Sequence, residues 1–492
     1  MEDKREDRFN HILKYTGLFG GVQGLIILIG LVRNKAMALL LGAGGIGLAS
    51  LLTSAQNFAS QCTNLGISFG AVPKLSELYE QNQASQLRYY VQVIRLWSLV
   101  AAVFGLVFCV VVSPLLNDFS FSWGNHTLHY SLLAFAVAMG GISGGELAIL
   151  KATRRLSSLA RIQVCSAVLS VVVSVPLYYY FHHTGVLPAI VLIAFVNMLT
   201  VIAYSYRFYP LRWTFSRSMI SHGIGMIKLG VSFVGAAAIG SGADMLIRAF
   251  LNVEGGLDDV GLYNVAYMIT ITYAGMVFTA METDYFPRLS AVRKDIVATN
   301  DTVNRQMEVS LLLLAPMLVF LLMMLPVLVP LLFSADFMPV VGMAQVAVLA
   351  MYFKVLTLPV AYITLARSRS LSYLFLETSY YVFFVLAVVV CFRSWGVWGT
   401  GLAVFLAHVF DYVLINGYAY WRYGYRFSSA VLGLAAVQLF IGFLSYAVSC
   451  LFEGWLYWTT EAALAIASTA CSLYVLRKKT RLWQSLKRRV GF

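Results

Sequence analysis

The sequence predicts an all-α, polytopic membrane protein of about 14 transmembrane helices. Three observations predict it. Of its 492 residues, 60% are hydrophobic and only 12% are charged, with a mean hydropathy of +0.78. A water-soluble core of this length does not use so much apolar surface. The apolar segments are long enough to span a bilayer as helices, roughly 20 residues, and lack strict alternation, which excludes an outer-membrane barrel. Finally, lysine and arginine collect on one side of the predicted membrane, as the positive-inside rule requires.

Spans are read at residues 15–41, 47–72, 91–115, 128–150, 162–182, 186–206, 223–251, 260–284, 308–333, 339–366, 373–392, 396–420, 430–451 and 455–476. An even number places both termini on one side. Of 35 Lys and Arg residues, 28 fall in segments on that side, one (Arg393) falls in the opposite loops, and six lie within spans. Both termini are therefore expected in the cytoplasm. The N-terminal MEDKREDRFNHILK is followed by no short apolar region with a small-residue cleavage site, so the first span is expected to remain as an anchor. The C-terminal RKKTRLWQSLKRR is expected to meet anionic headgroups, which accounts for the net charge of +13 without nucleic acid. No connection exceeds about 25 residues, so no soluble domain is expected. Six cysteines, all in or near apolar spans and without ligand spacing, read as small buried hydrophobes.

The first span carries charge where charge is costly. In GLIILIGLVRNKAMALLLGAGGIG (24–47), Arg33 lies nine residues before Gly42. At a rise of ~1.5 Å per residue it sits ~13 Å below the outer end, near the middle of a ~30 Å hydrocarbon core. A charge at that depth costs at least ~2.5–3.5 kcal/mol, so it marks a functional site unless it snorkels or pairs for structural reasons. Lys35 is a second candidate. Two residues apart on a helix means about 200° of rotation, so Arg33 and Lys35 do not face one cavity directly. In the second span Thr53, Asn57, Ser60, Asn64 and Ser68 recur at steps of three and four and share a face. That face is expected to meet either a wet cavity or a neighbouring helix.

An internal repeat organises the rest. Residues 47–76 begin GLAS and end PKLS; residues 261–290 begin GLYN and end PRLS; and each glycine precedes its proline by 26 residues. The copies are spans 2 and 8, in the same orientation. They imply two pseudo-symmetric six-helix lobes, at 1–210 and 211–428, with spans 13–14 and the basic tail at 429–492. Asp244 and Arg248, four apart in span 7, can pair on one face. Lys354, Glu377, His408 and Asp411 lie in spans 10 to 12, with His408 and Asp411 one turn apart. Lys354, His408, Asp411 and Asp244 are read as coupling or charge-pair residues. Arg95, Glu146 and Lys228 lie near cytoplasmic span ends, at headgroup level. The sequence carries no phosphate-binding loop, no metal cluster and no nucleophile constellation, so neither an enzyme nor a cofactor or metal is expected.

These stretches resemble a known family. LVRNKAMALLLGAGGIGLASLL with GISFGAVPKLSE, then ELAILKATRRLSSLARIQVCSAVLSVVVSVPLYYYF, IKLGVSF and FPRLS are similar to the O-antigen flippases (Wzx type) and related polysaccharide-export proteins. That family sits in the multidrug/oligosaccharidyl-lipid/polysaccharide exporter superfamily. The resemblance covers about residues 10 to 420. It implies a two-lobed bundle in the bacterial inner membrane that turns undecaprenyl-pyrophosphate-linked oligosaccharide from the inner to the outer leaflet by alternating access through a cationic central cavity. It implies Arg33 and Arg248 as the matching cations, with Lys35, Asn57 and Asn64 as further substrate-binding candidates. The lipid II flippase of the superfamily has Arg-Asp in span 1; Arg33 matches that Arg, and Asn34 replaces the Asp. The implied partners are the lipid-linked oligosaccharide, the bilayer, and glycan polymerase or ligase proteins. Two alternatives share the architecture: a cation-coupled multidrug antiporter, whose cavity is expected to be acidic, and a lipid II flippase.

Overall fold

A computed structural model describes residues 2–122, 124–211, 216–367 and 369–479; the basic tail from 480 onward lies outside the described residues. The described chain is helical throughout: α1 (Glu2–Thr63), α2 (Ile67–Glu80), α3 (Ala84–Ser120), α4 (Thr127–Ala152), α5 (Leu156–Phe181), α6 (Val186–Tyr206), α7 (Arg217–Glu254), α8 (Leu257–Tyr267), α9 (Tyr273–Val292), α10 (Ile296–Leu332), α11 (Val340–Ala366), α12 (Ser370–Tyr423), α13 (Ser429–Leu451) and α14 (Gly454–Lys479).

Ten stretches among the described residues are long and apolar enough to cross a membrane. Three of them hold two predicted spans each. The stretch Gly21–Thr63 kinks at Gly42, Leu156–Tyr206 passes through a short 3-10 turn at His182–Gly185, and Leu371–Tyr423 kinks at Gly396. The remaining span is divided between α8 and α9 by a π-helical turn at Met268–Thr272. With that, each of the fourteen expected spans is helical, the second with a break at residues 64–66.

The kinks explain why the turns on the lysine-poor side are so short. Gly42 adopts φ 66°, ψ −164° and Gly396 φ 60°, ψ −145°. That region is open essentially to glycine alone, because a Cβ collides with the backbone there. A Cβ on Gly42 would meet nothing else within 4 Å, so the cost of Gly42→Ala is purely conformational. We expect it to destabilise the protein by ~1–3 kcal/mol, read as a lower thermal midpoint in detergent, whereas an unchanged midpoint would mean that the backbone relaxes.

The chain packs as two compact units, residues 1–261 with 332–334, and 262–331 with 335–492. In the first unit α3 packs along α4, and α1 packs on both α5 and α7. Leu51, Leu52, Tyr130, Leu133, Tyr178 and Val186 form a core towards the lysine-poor side. A second core, with Leu75, Ile94, Ile149 and Met226, lies towards the basic side. The repeat is visible inside this unit as a reciprocal contact. Gly261 follows Gly47 by 214 residues, as Pro287 follows Pro73. A Cβ on Gly47 would overlap the Leu257 carbonyl oxygen, and one on Gly261 would overlap that of Ala43, four residues before Gly47 as Leu257 is before Gly261. Equivalent positions thus meet equivalent positions across a local twofold-like axis, and only glycine lets the two backbones approach so closely.

In the second unit 20 of the 27 residues of α11 are buried. One of the prolines of α10, Pro326, is accommodated by a tyrosine from another helix. Pro326 has no N–H, which leaves the Leu322 carbonyl, four residues earlier, without its helical partner. The Tyr457 hydroxyl of α14 donates to Leu322 O at 3.2 Å and to Met323 O at 2.9 Å. In a membrane such a freed carbonyl must be satisfied by protein. Tyr457→Phe is expected to cost about 1–3 kcal/mol and to loosen α14 from α10. Hydrogen exchange at α14 no faster than in the parent protein would argue against this role.

Candidate functional site

The charged stretch of the first span lies on α1, which continues without a break from Arg33 to the kink at Gly42. Asn34 is the member turned into protein, with 7% of its surface exposed. Arg33 and Lys35 on either side are half-buried. Arg33 lies within electrostatic reach of the buried Tyr178 hydroxyl on α5. No ion pair among the described residues includes Arg33. A guanidinium at mid-span, half-open and not ion-paired among the described residues, is available to an anion.

Arg248 is placed differently. It is 7% exposed, ion-pairs with Asp244 one turn earlier, and donates from Nε to Ser50 Oγ at 2.5 Å. The expected Asp244–Arg248 pair on one helical face is therefore present. Arg33 and Arg248 both lie in the first compact unit. The physical reason is the glycine contact described above, which brings the end of α7 and the start of α8 against the turn at residues 43–47. Arg248 is thereby held against the residue just past that turn.

The polar stripe of the second span is interrupted. Helix α1 ends at Thr63; Leu65 and Gly66 both take positive φ, and α2 starts at Ile67. Asn64 serves the break. Its Oδ1 accepts the Gly66 N–H at 2.7 Å, and its Nδ2 donates to Gln61 at 3.2 Å. Ser60 and Ser68 lie beside Gly140 and Gly144 of α4. Thr53 and Asn57 are the exposed members. A single helical face from Thr53 to Ser68 is thus replaced by two shorter ones, because spacing cannot register a left-handed turn within the period.

In the second unit the residues read as coupling or charge-pair candidates do converge. The Lys354 ammonium on α11 acts electrostatically on Glu377, His408 and Asp411 of α12, and Glu377 acts on Asp411. His408 is buried, with Nδ1 2.9 Å from the Val404 carbonyl of its own helix and its ring edge-on to Tyr380 at 5.6 Å. One ammonium therefore acts at a distance on two carboxylates, from the two halves of α12 that meet at the Gly396 kink. Among the described residues no group of three or more His, Cys, Asp or Glu side chains is arranged to hold a metal ion.

The sequence matches the family described as polysaccharide biosynthesis protein over residues 36–342, more than half of the chain. The chain belongs to that family. No curated protein matches it. Among solved structures it is similar to one described as lipid II flippase MurJ in an inward closed conformation, with a TM-score of 0.72 at 12% identity, covering 94% of this chain and 99% of that one. It is also similar to an inward-facing multidrug resistance MATE family transporter of the MOP superfamily, with a TM-score of 0.67 at 13% identity, covering 81% and 94%. A third likeness is to the MATE multidrug transporter DinF-BH, with a TM-score of 0.57 at 16% identity, covering 83% and 95%. At these identities the solved structures establish the fold, that of the exporter superfamily which the sequence resembles.

The chain also holds polar groups that its spacing does not announce. Arg95 and Glu146, read as headgroup-level residues, form a buried pair at 2.7 Å, with Glu146 3% exposed. Ser205 donates to the same carboxylate at 2.6 Å, and Arg95 Nη2 reaches Tyr209 O at 2.7 Å. The guanidinium also stacks over Tyr206 at 4.3 Å. Three helices and the segment after α6 are thereby tied at one point. In the second unit Gln438 bonds Ser468 and Ser472, and Ser445 donates to Glu461 at 2.6 Å, forming a polar seam between α13 and α14. Each partner in these groups is ordinary alone, and no periodicity links one helix to the next.

Proposed function

We propose that this protein turns undecaprenyl-pyrophosphate-linked oligosaccharide from the inner to the outer leaflet of a bacterial inner membrane. The observation that carries the reading is Arg33, half-buried at mid-span, with no ion-pair partner among the described residues. A pyrophosphate carries about two negative charges, and a fixed guanidinium lowers the cost of moving it through a low-dielectric layer. The prenyl chain stays in lipid while the glycan needs a wet polar path, for which Lys35, Asn57 and Asn64 are proposed substrate contacts. Arg248, with Asp244 beside it, is proposed as a second cation, freed from its acid when the pyrophosphate arrives. Lys354, His408 and Asp411 are proposed to couple transport to a cation or proton gradient through alternating access.

Family membership and the basic character of α1 support this reading over a multidrug antiporter, whose cationic substrates call for acids at that depth. The test is leaflet exchange in proteoliposomes. Purified protein should accelerate the movement of a fluorescent undecaprenyl-pyrophosphate oligosaccharide. Efflux of a cationic dye with no movement of the lipid would support the antiporter instead. Movement of lipid II alone would narrow the substrate to the peptidoglycan precursor.

A further inference from the structure

The first unit contains a cavity of about 710 Å³ on its basic side, between α2, α3 and α7. It lies away from the Arg33 stretch, beside the end of the first repeat copy, whose Pro73 and Lys74 line it. Its volume falls within the range of small-molecule sites, roughly 300–1,000 Å³. Two kinds of group line it. Pro73, Leu78, Tyr90 and Met226 present apolar and aromatic surface; Lys74, Glu77, Gln86, Tyr89 and His222 present polar atoms.

The polar lining is balanced in charge and already organised. Lys74 Nζ and Glu77 Oε2 are 3.0 Å apart, so the ammonium is matched by a carboxylate. Tyr89 Oη lies 3.0 Å from both Ser218 Oγ and His222 Nδ1, which ties α3 to the start of α7. The Tyr89 and His222 rings meet edge to face at 5.7 Å. A pyrophosphate prefers unmatched cations, and a hydrophobic drug prefers a wall without paired ions. Donors and acceptors in balance beside aromatic faces suit an uncharged, polyhydroxylated ligand.

We propose that this cavity is a glycan-binding subsite, which holds sugars of the lipid-linked oligosaccharide on the side where the substrate is loaded. The proposal rests on the flippase reading above and adds a division of labour: Arg33 takes the phosphate, and the α2–α3–α7 cavity takes neutral sugar.

Gly225 supplies the test. It lines the cavity, and a Cβ built on it meets nothing within 4 Å. The position accepts a Cβ, so Gly225→Phe projects a ring into the space, whereas Gly225→Ala leaves most of it open. The probe is the free oligosaccharide released from its lipid by mild acid, titrated calorimetrically into purified full-length protein. The parent protein and Gly225→Ala are expected to bind it, and Gly225→Phe to bind about tenfold more weakly or worse, with an unchanged thermal midpoint. Should Gly225→Phe not fold, Gln86→Ala, at an exposed position of α3, is expected to weaken binding severalfold. Equal binding by the parent and the variants that fold would overturn the subsite. So would binding of the intact lipid-linked oligosaccharide without binding of the free one, although the flippase reading would then stand. Displacement of the oligosaccharide by glycerophosphoethanolamine at equal concentration would make the cavity a phospholipid-headgroup site and overturn the proposal. A parent protein that binds neither the free oligosaccharide nor the intact lipid would overturn the flippase reading, and the subsite with it.

Discussion

Arg33→Ala is expected to give an inserted, folded protein that no longer delivers lipid-linked glycan to the outer leaflet. Two effects act in the same direction. Removing a charge from mid-span relieves an insertion cost of at least ~2.5 kcal/mol. No ion pair among the described residues is broken, because none includes Arg33. Stability should therefore hold or rise while transport is lost. Arg33→Lys is the informative companion. It keeps the charge but loses the planar fork that grips a phosphate through two parallel hydrogen bonds, so partial transport is expected. The measurement pairs surface-glycan display with the amount of protein in the membrane. Normal insertion with full display would make Arg33 a structural residue held by Tyr178.

Glu146→Ala is expected to have the opposite signature, with stability lost first. Arg95 and Glu146 are both largely buried, at 10% and 3% side-chain exposure. Deleting the acid leaves a guanidinium with two backbone contacts, the Tyr209 and Pro210 carbonyls, and no counter-charge. Breaking such a pair from one side costs about 3–5 kcal/mol. A buried Ser205 hydroxyl would also lose its acceptor. The loss should appear as a lower thermal midpoint and a poor yield. The double change Arg95→Met with Glu146→Leu should recover much of it, because burial of two uncharged groups carries no such penalty. If the double variant were no more stable than the single one, the role of the pair would lie in positioning the segment after α6, and the desolvation argument would fail.

These two sites differ in how they could be read. Arg33 stands out in the chain because it lies, with Asn34 and Lys35, inside an otherwise apolar stretch long enough to cross a membrane, so cost alone singles it out. Glu146 sits among Gly144, Gly145 and Ala148 near a span end, where an acid is unexceptional. Its significance comes from Arg95, 51 residues earlier on another helix. The same holds for Arg248. Its pairing with Asp244 follows from a four-residue step, but its hydrogen bond to Ser50 spans 198 residues. Asn64 shows the converse: its place in an apparent stripe assumed one helix, and a left-handed turn at Leu65–Gly66 cut that helix in two.

The sequence by itself determined that this is a helical membrane protein, where its spans lie, which side carries its positive charge, where the repeat copies stand, and that a cation sits at mid-span in the first helix. Each is a property of hydrophobicity or spacing along one dimension, and the bilayer enforces it locally. Only the tertiary structure decided that Arg95 and Glu146 meet, that Tyr457 covers the carbonyl freed by Pro326, that Lys354 comes within electrostatic reach of both Glu377 and Asp411, and that α2, α3 and α7 line a charge-balanced cavity. Those contacts depend on how each helix is rotated about its axis and which helix lies beside it. In a chain whose helices are apolar on nearly every face, periodicity carries too little contrast to specify either.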